Sequence, residues 1–164
     1  MTRIVPNEEC WIGFLPDTVP ADLCSVSLAD ITAAIDLTCL ISSLTASATG
    51  NTVPTPSLCS LFETSVPGTS SATFTGEFYR DSDEDVAWDT LPRKAKGTFI
   101  IARFGVPKDA TTGVPTPIVG TLIEVWPVEI TSRQAGAMAS GTPLTFTSNA
   151  AVNIEPCEDG AVIA

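Results

Sequence analysis

The sequence predicts a mainly β domain with one or two short flanking α-helices, and three observations predict it. Thirteen prolines and eleven glycines punctuate short apolar runs, the texture of strands joined by substantial loops. Hydrophobic residues make up 44% of the chain, enough to build a core and too many for a disordered tail. Roughly seven segments read as strands and only two as short helices. At 164 residues the chain, residues 1–164, is one domain around a single core.

Ile4 to Val5 and Cys10 to Leu15 read as short strands separated by Pro6 and Asn7, with Trp11 and Phe14 supplying aromatic bulk. After a proline-rich turn over 16–20, Leu28, Ile31 and Ile35 fall at helical spacing behind Ser27, a candidate N-cap. Leu37, Cys39 and Ile41 then switch to period two and signal a strand leaving that helix. Residues 42–57, SSLTASATGNTVPTPS, are small and polar; so long a connection predicts either a mobile loop or one ordered by a partner, and the partner-ordered loop is the favoured expectation. Leu58 to Val66 return to β texture. From Ala72 to Tyr79, Phe74, Gly76 and Phe78 share one face while Thr73, Thr75, Glu77 and Tyr79 share the other.

An acidic knot follows, with Asp81, Asp83, Glu84 and Asp85 flanked by Glu77 and Asp89 and holding Arg80. Its opening matches the first ligands of a calcium loop, but the sixth position is Val86 where glycine is needed and the twelfth is Pro92 where glutamate is needed. The simpler reading makes Asp81 or Asp83 the cap of a short helix, EDVAWDTL, whose first turn favours negative charge. Val86, Trp88 and Leu91 would pack it and Pro92 would end it.

Arg93, Lys94 and Lys96 form a basic cluster without accompanying aromatics; a solvated face or intersubunit salt-bridge partners fit better than a phosphate site. Thr98 to Phe104 reads as a strand buried on both faces and interrupted by Arg103. Residues 105–117 form a second, turn-rich loop. Ile118 to Ile130 is the longest strand candidate, with Gly120 and Pro127 at bulge, edge or bend positions. Leu144 to Phe146 and Val152 to Ile154 finish the sheet, and the tail from Pro156 to Ala164 is expected to be loose.

Composition also removes function classes. Eight basic against nineteen acidic residues leave a net charge of −11, unsuited to gripping a phosphate backbone. There is no histidine, so the usual general base and the commonest metal ligand are missing and no standard catalytic triad can be assembled. The five cysteines, an odd number with no C-x-x-C pair, predict reduced thiols, with Cys39 as a small hydrophobe in an apolar run. The N-terminus lacks an apolar signal core, and no stretch approaches the ~20 apolar residues of a membrane span. The expectation is a soluble, non-enzymatic protein made in a cytoplasm, with no cofactor, no metal and no membrane partner.

One ordered set of segments carries a resemblance. ADITAAIDLTCLIS, FYRDSDEDVAWDTL, GTFIIARFG, GTLIEVWPVEITSR and LTFTSNAAVNIEP, in that order, resemble the major tail protein of long-tailed phages of actinobacteria, from about Ile4 to Ile154. The resemblance implies a β-sandwich or half-barrel with a flanking helix, whose subunits join into hexameric rings and lend strands to a continuous inner β-barrel. It implies as partners further copies of the chain, tape measure and terminator or tip proteins, and genomic DNA passing through the bore without specific binding. It implies assembly in the bacterial host cytoplasm and a place in the virion tail.

Within that frame Glu77, Glu124 and Glu129, all on strand candidates, are the lumen-facing acidic nominees. Ser42, Thr45, Asn51 and Thr55 are the nominees for inter-ring contact, and Arg93, Lys94 and Lys96 for intersubunit contact. Two other classes stay open at this point: another phage structural protein, such as a capsid decoration or head-to-tail completion protein, and an Ig-like adhesion or carbohydrate-binding module.

Overall fold

The computed structural model describes residues 9–55 and 64–164. The expected strand at Ile4 to Val5 and the first part of the β segment at 58–66 lie outside the described residues. The elements run β1 (Trp11–Pro16), β2 (Ser25–Ser27), α1 (Leu28–Ala33), β3 (Ile35–Asp36), a 3₁₀ turn (Thr38–Leu40), β4 (Ile41–Thr55), β5 (Thr64–Tyr79), α2 (Val86–Thr90), β6 (Lys96–Ala102), β7 (Leu122–Ala135), β8 (Thr145–Val152) and β9 (Cys157–Ile163). One sheet holds every strand, in the order β3-β1-β6-β7-β8-β5-β4. β9 lies end to end with β8 along the same edge of β7, and β2 pairs β9 in parallel.

The sheet curls without closing. Phe74 of β5 stacks on Phe99 of β6 with ring centroids 4.4 Å apart, although β7 and β8 lie between them in the sheet. Phe14, Trp126, Phe78 and Phe146 join the same core inside the curl. Phe74, Gly76 and Phe78 face inward, as their alternation predicts. A Cβ on Gly76 would stand 2.7 Å from the Phe78 ring, so glycine there lets that ring lie flat along the strand. A second cluster, built on Trp11, Val26, Ile31, Ile100 and Val125, sits on the opposite face under α1 and β2. Helix α1 starts as expected: the Ser27 hydroxyl accepts the Asp30 N–H at 3.2 Å.

Several expectations are corrected. Residues 41–55 form a 15-residue strand instead of a loop over 42–57; threonine and valine are good strand residues, and over 47–55 alternation is lost because both faces are exposed. The strand signalled by Leu37, Cys39 and Ile41 begins only at Ile41, since Thr38–Leu40 is a 3₁₀ turn and Cys39 is exposed. β7 begins at Leu122, after a turn in which Gly120 takes φ +90°, and both β4 and the 16-residue β5 exceed it in length. The two short strands expected around 144–154 are one, β8. The tail expected to be loose forms β9, and Cys157 at its start is bonded to Cys24, 133 residues away. That disulfide overturns the all-thiol reading; β2–β9 pairing, invisible in the spacing, brings the two Cα atoms to 5.5 Å.

The aromatic contact that curls the sheet supplies the first prediction. Phe99→Ala removes a fully buried ring and is expected to cost about 3–5 kcal/mol in urea denaturation; a loss below about 1 kcal/mol would show that the curl does not depend on it.

Candidate assembly surfaces

The outer face of β4, β5, β8 and β7 is polar and internally bonded. Thr73, Thr75 and Glu77 alternate with the buried phenylalanines and therefore point away from the core. Ser47 Oγ and Thr73 Oγ1 lie 3.1 Å apart, Thr75 Oγ1 donates to Asn149 Oδ1 at 3.0 Å, and Asn149 Nδ2 donates to Ser132 Oγ at 3.0 Å. Thr145 Oγ1 donates to one Glu77 carboxylate oxygen at 3.0 Å, and Ser43 Oγ to the other at 3.5 Å. A row of side chains thus crosses four strands. Asn149 and Ser132 were missed in the sequence because SNAA shows no apolar alternation. The signal available was the Thr-x-Thr spacing of the neighbouring strand.

The three acidic nominees do not share a face. Glu77 and Glu129 lie on the polar side, through the register Thr73↔Ala151↔Glu129. Glu124 lies on the Trp126 side, where Arg103 engages both of its oxygens, Nη2 donating to Oε2 at 2.8 Å, and Trp126 Nε1 donates to the same Oε2 at 3.3 Å. The Glu124 contact holds the Arg103 guanidinium above its ordinary pKa. Glu129 meets Lys96 at 3.7 Å across the β6–β7 ladder, so an acidic and a basic nominee pair within one chain; an exposed contact of this kind contributes at most about 1 kcal/mol.

β5 outruns the body of the protein. Its last residue paired with β8 is Thr73, opposite Ala151, and residues 64–72 continue beyond, paired only with β4 among the described residues. Nine residues at ~3.3 Å each give a two-stranded arm of roughly 30 Å. Ser42 and Thr45 lie on the stem, and the Ser42 hydroxyl donates to the Glu77 carbonyl at 3.2 Å. Asn51 sits in a register shift between Gly50 and Thr52, and Thr55 faces Thr64 at the end of the described arm. Residues 47–55 are exposed throughout, with Val53 at 50%.

The acidic knot starts α2, but by a different device from the one expected. Asp85 occupies the N-cap without bonding the helix through its side chain. It pairs with Arg80 instead, while Asp81 receives the Asp83 N–H in a local turn. Trp88 lies between two guanidinium groups, Arg80 at 3.8 Å and Arg133 at 3.5 Å from its ring centroid, with its edge against Phe146. Arg133 also donates to the Trp88 carbonyl at 2.6 Å. The turn after α2 carries Arg93 and Lys94, both exposed.

The exposed loop over 105–117 is tied by the Asp109 carboxylate, which accepts the N–H groups of Thr112 at 2.7 Å and Thr111 at 2.9 Å and the Thr112 hydroxyl at 3.0 Å. Among the described residues no group of three or more His, Cys, Asp or Glu is placed to hold a metal ion. No helix of the described residues is long and apolar enough to cross a membrane.

A family model described as phage tail tube protein matches residues 6–164. The chain belongs to the phage tail tube protein family. The role of this tail tube protein is therefore structural, as a component of a phage tail tube. Its fold is similar to a chain in the six-fold symmetrised baseplate of the anti-feeding prophage, with a TM-score of 0.56, 10% identity and coverage of 98% of both chains. It is also similar to a chain of the native gene transfer agent virion, with a TM-score of 0.54, 15% identity and coverage of 94% of this tail tube protein and 98% of that chain. A third similar chain comes from the tail of the empty gene transfer agent particle, solved with C6 symmetry, at a TM-score of 0.50 and 15% identity, covering 78% and 87%. No curated protein sequence matches significantly.

The bonds to Asp109 stabilise its charged form, so its pKa lies below the ordinary aspartate range, through the Thr112 and then the Thr111 N–H. A depressed carboxylate pKa adds order that is present above the unfolded-state value and is lost as pH falls through the folded one. In an NMR titration the Thr111 and Thr112 amide shifts are expected to move together with a midpoint below that of a free aspartate; Asp109→Ala should abolish the step. A midpoint at the ordinary aspartate value would contradict the bonding.

Proposed function

We propose that this chain self-associates head to tail into hexameric rings that stack into the tail tube, through which the DNA genome passes during ejection into the host. The observation that carries the reading is the arm of β4 and β5. It is long, exposed on both faces, and contains no charged residue over 47–55 or 64–71. An isolated two-stranded hairpin is marginal in water, and an open edge without charges pairs readily with another chain. A neighbouring copy in the ring completes it, and the described end of the arm, with Asn51 and Thr55, reaches the next ring.

The polar face of β4, β5, β8 and β7 suits the bore. It offers hydroxyls, an amide and the carboxylates Glu77 and Glu129. DNA carries about one negative charge per ~1.7 Å of axis, so a lysine-lined bore would hold it, whereas a neutral or acidic one lets it slide. Only charges within about a Debye length, ~8 Å in physiological salt, act on the duplex. The tape measure protein and the tail terminator and tip proteins are the further partners this reading calls for, with assembly in the host cytoplasm and residence in the virion. The order of the segments from ADITAAID to LTFTSN supports a long-tailed phage of actinobacteria as the source.

Electron microscopy of the concentrated protein tests the reading. Six-fold rings or hollow tubes are expected, with Glu77 and Glu129 facing the bore in a reconstruction; a protein that stays monomeric with tail initiator components present, or a bore lined by another face, would overturn it.

A further inference from the structure

Where β5 parts from β8, the sheet forks and leaves a cleft of about 940 Å³ between the arm and the segment that joins β8 to β9. One wall is small and uncharged, from Ala48 to Gly50 and Ser70 to Ala72; the other carries Glu155, Glu158 and Asp159. All three acids are exposed, and none forms an ion pair among the described residues. Glu158 lies within electrostatic reach of Arg103, but that guanidinium directs its Nε and Nη2 donors to Glu124. The acidic wall is held rigidly, because the disulfide from Cys157 to Cys24 and the bond from the Ala161 N–H to the Cys24 carbonyl at 3.0 Å fix β9 in place.

The complementary charge lies elsewhere on the same chain. Arg80, Lys96 and Arg103 each hold a carboxylate, and Arg133 is committed to Trp88. Arg93 and Lys94 have no side-chain partner among the described residues. Lys94 also takes φ +72°, a left-handed conformation that glycine or asparagine adopts more readily. Its N–H is fixed to the Ile130 carbonyl at 2.8 Å, and the Ala95 N–H closes the turn on Pro92 at 3.0 Å. A charged side chain standing where the backbone favours glycine is the kind of backbone outlier that clusters at functional sites.

The two features lie on opposite flanks of the sheet. The turn leads into β6, on one edge of β7; the cleft lies past β8 and β9, on the other. Two different, complementary surfaces on opposite flanks are what a head-to-tail ring contact requires. We infer that the Arg93–Lys94 turn of one copy docks in the acidic cleft of its neighbour, the charges setting the register and direction of the ring. The inference rests on the ring reading above and names the contact that closes it.

A reciprocal charge exchange tests it. One variant carries Arg93→Glu and Lys94→Glu, the other Glu155→Lys and Asp159→Lys; all four positions are exposed, and unchanged melting curves confirm folding. At low salt each variant alone is expected to lose assembly by about tenfold or more, because like charges then meet at every contact. A one-to-one mixture should restore rings, since copies alternating around an even-numbered ring meet opposite charges at each joint. If the wild type assembles and the variants assemble equally well alone, or the mixture fails to recover, the contact is refuted and the cleft serves a different partner, while the ring reading stands. If the wild type forms no rings, the ring reading falls and the contact with it.

Discussion

The stacking of Phe74 on Phe99 across two intervening strands is the constraint from which the rest follows. It bends the sheet so that the phenylalanine faces of β5 and β8 close over β6 and β1 and form a dry interior. Alternation then dictates that the other face of the same strands is wet. β5 stays in the body only as far as its buried side chains reach. Phe74 is the last phenylalanine along it toward the arm, and the strand leaves the body within two residues of that position.

What remains is an edge that the single chain does not complete. β4 borders the sheet on one side, and over the arm neither strand has a further neighbour among the described residues. Proteins usually blunt such an edge with charge, a bulge or proline. Here the register shift at Gly50 to Thr52 and the prolines at 54 and 67 interrupt the edge, but among the described residues of the arm no charge repels a partner. A monomeric protein would carry this as an aggregation hazard; in the ring proposed above it becomes a joint. The rigid half of the molecule complements it, since α2 is fixed through Trp88 between two arginines and β9 through Cys24–Cys157.

Much of the body was legible in the sequence because burial on one face leaves a period. The helix behind Ser27, the alternation of 72–79, the buried strand after Gly97 and the helix ended by Pro92 all expose their pattern that way. The arm was read as a loop because a strand wet on both faces has no period to show. β9 and the disulfide were missed because they depend on a contact 133 residues apart in the chain, for which local spacing carries no signal. The candidate surfaces split the same way. Glu77 could be placed on a wet face from alternation alone, whereas Glu124 needed knowledge of the Arg103 contact and of the shift between Ile123 and Val125. The cleft, made by a fork in the sheet, has no sequence signature at all.

The central claim is that the arm is incomplete in one chain and completed by another. Hydrogen exchange of the amides in residues 47–55, compared between dilute subunit and assembled tube, measures that directly. The account predicts rapid exchange in the subunit and protection of about 100-fold or more in the tube, as backbone groups exposed along the arm acquire partners. Exchange in the tube as fast as in the subunit would contradict it, and would mean that the arm stays free while some other surface joins the copies.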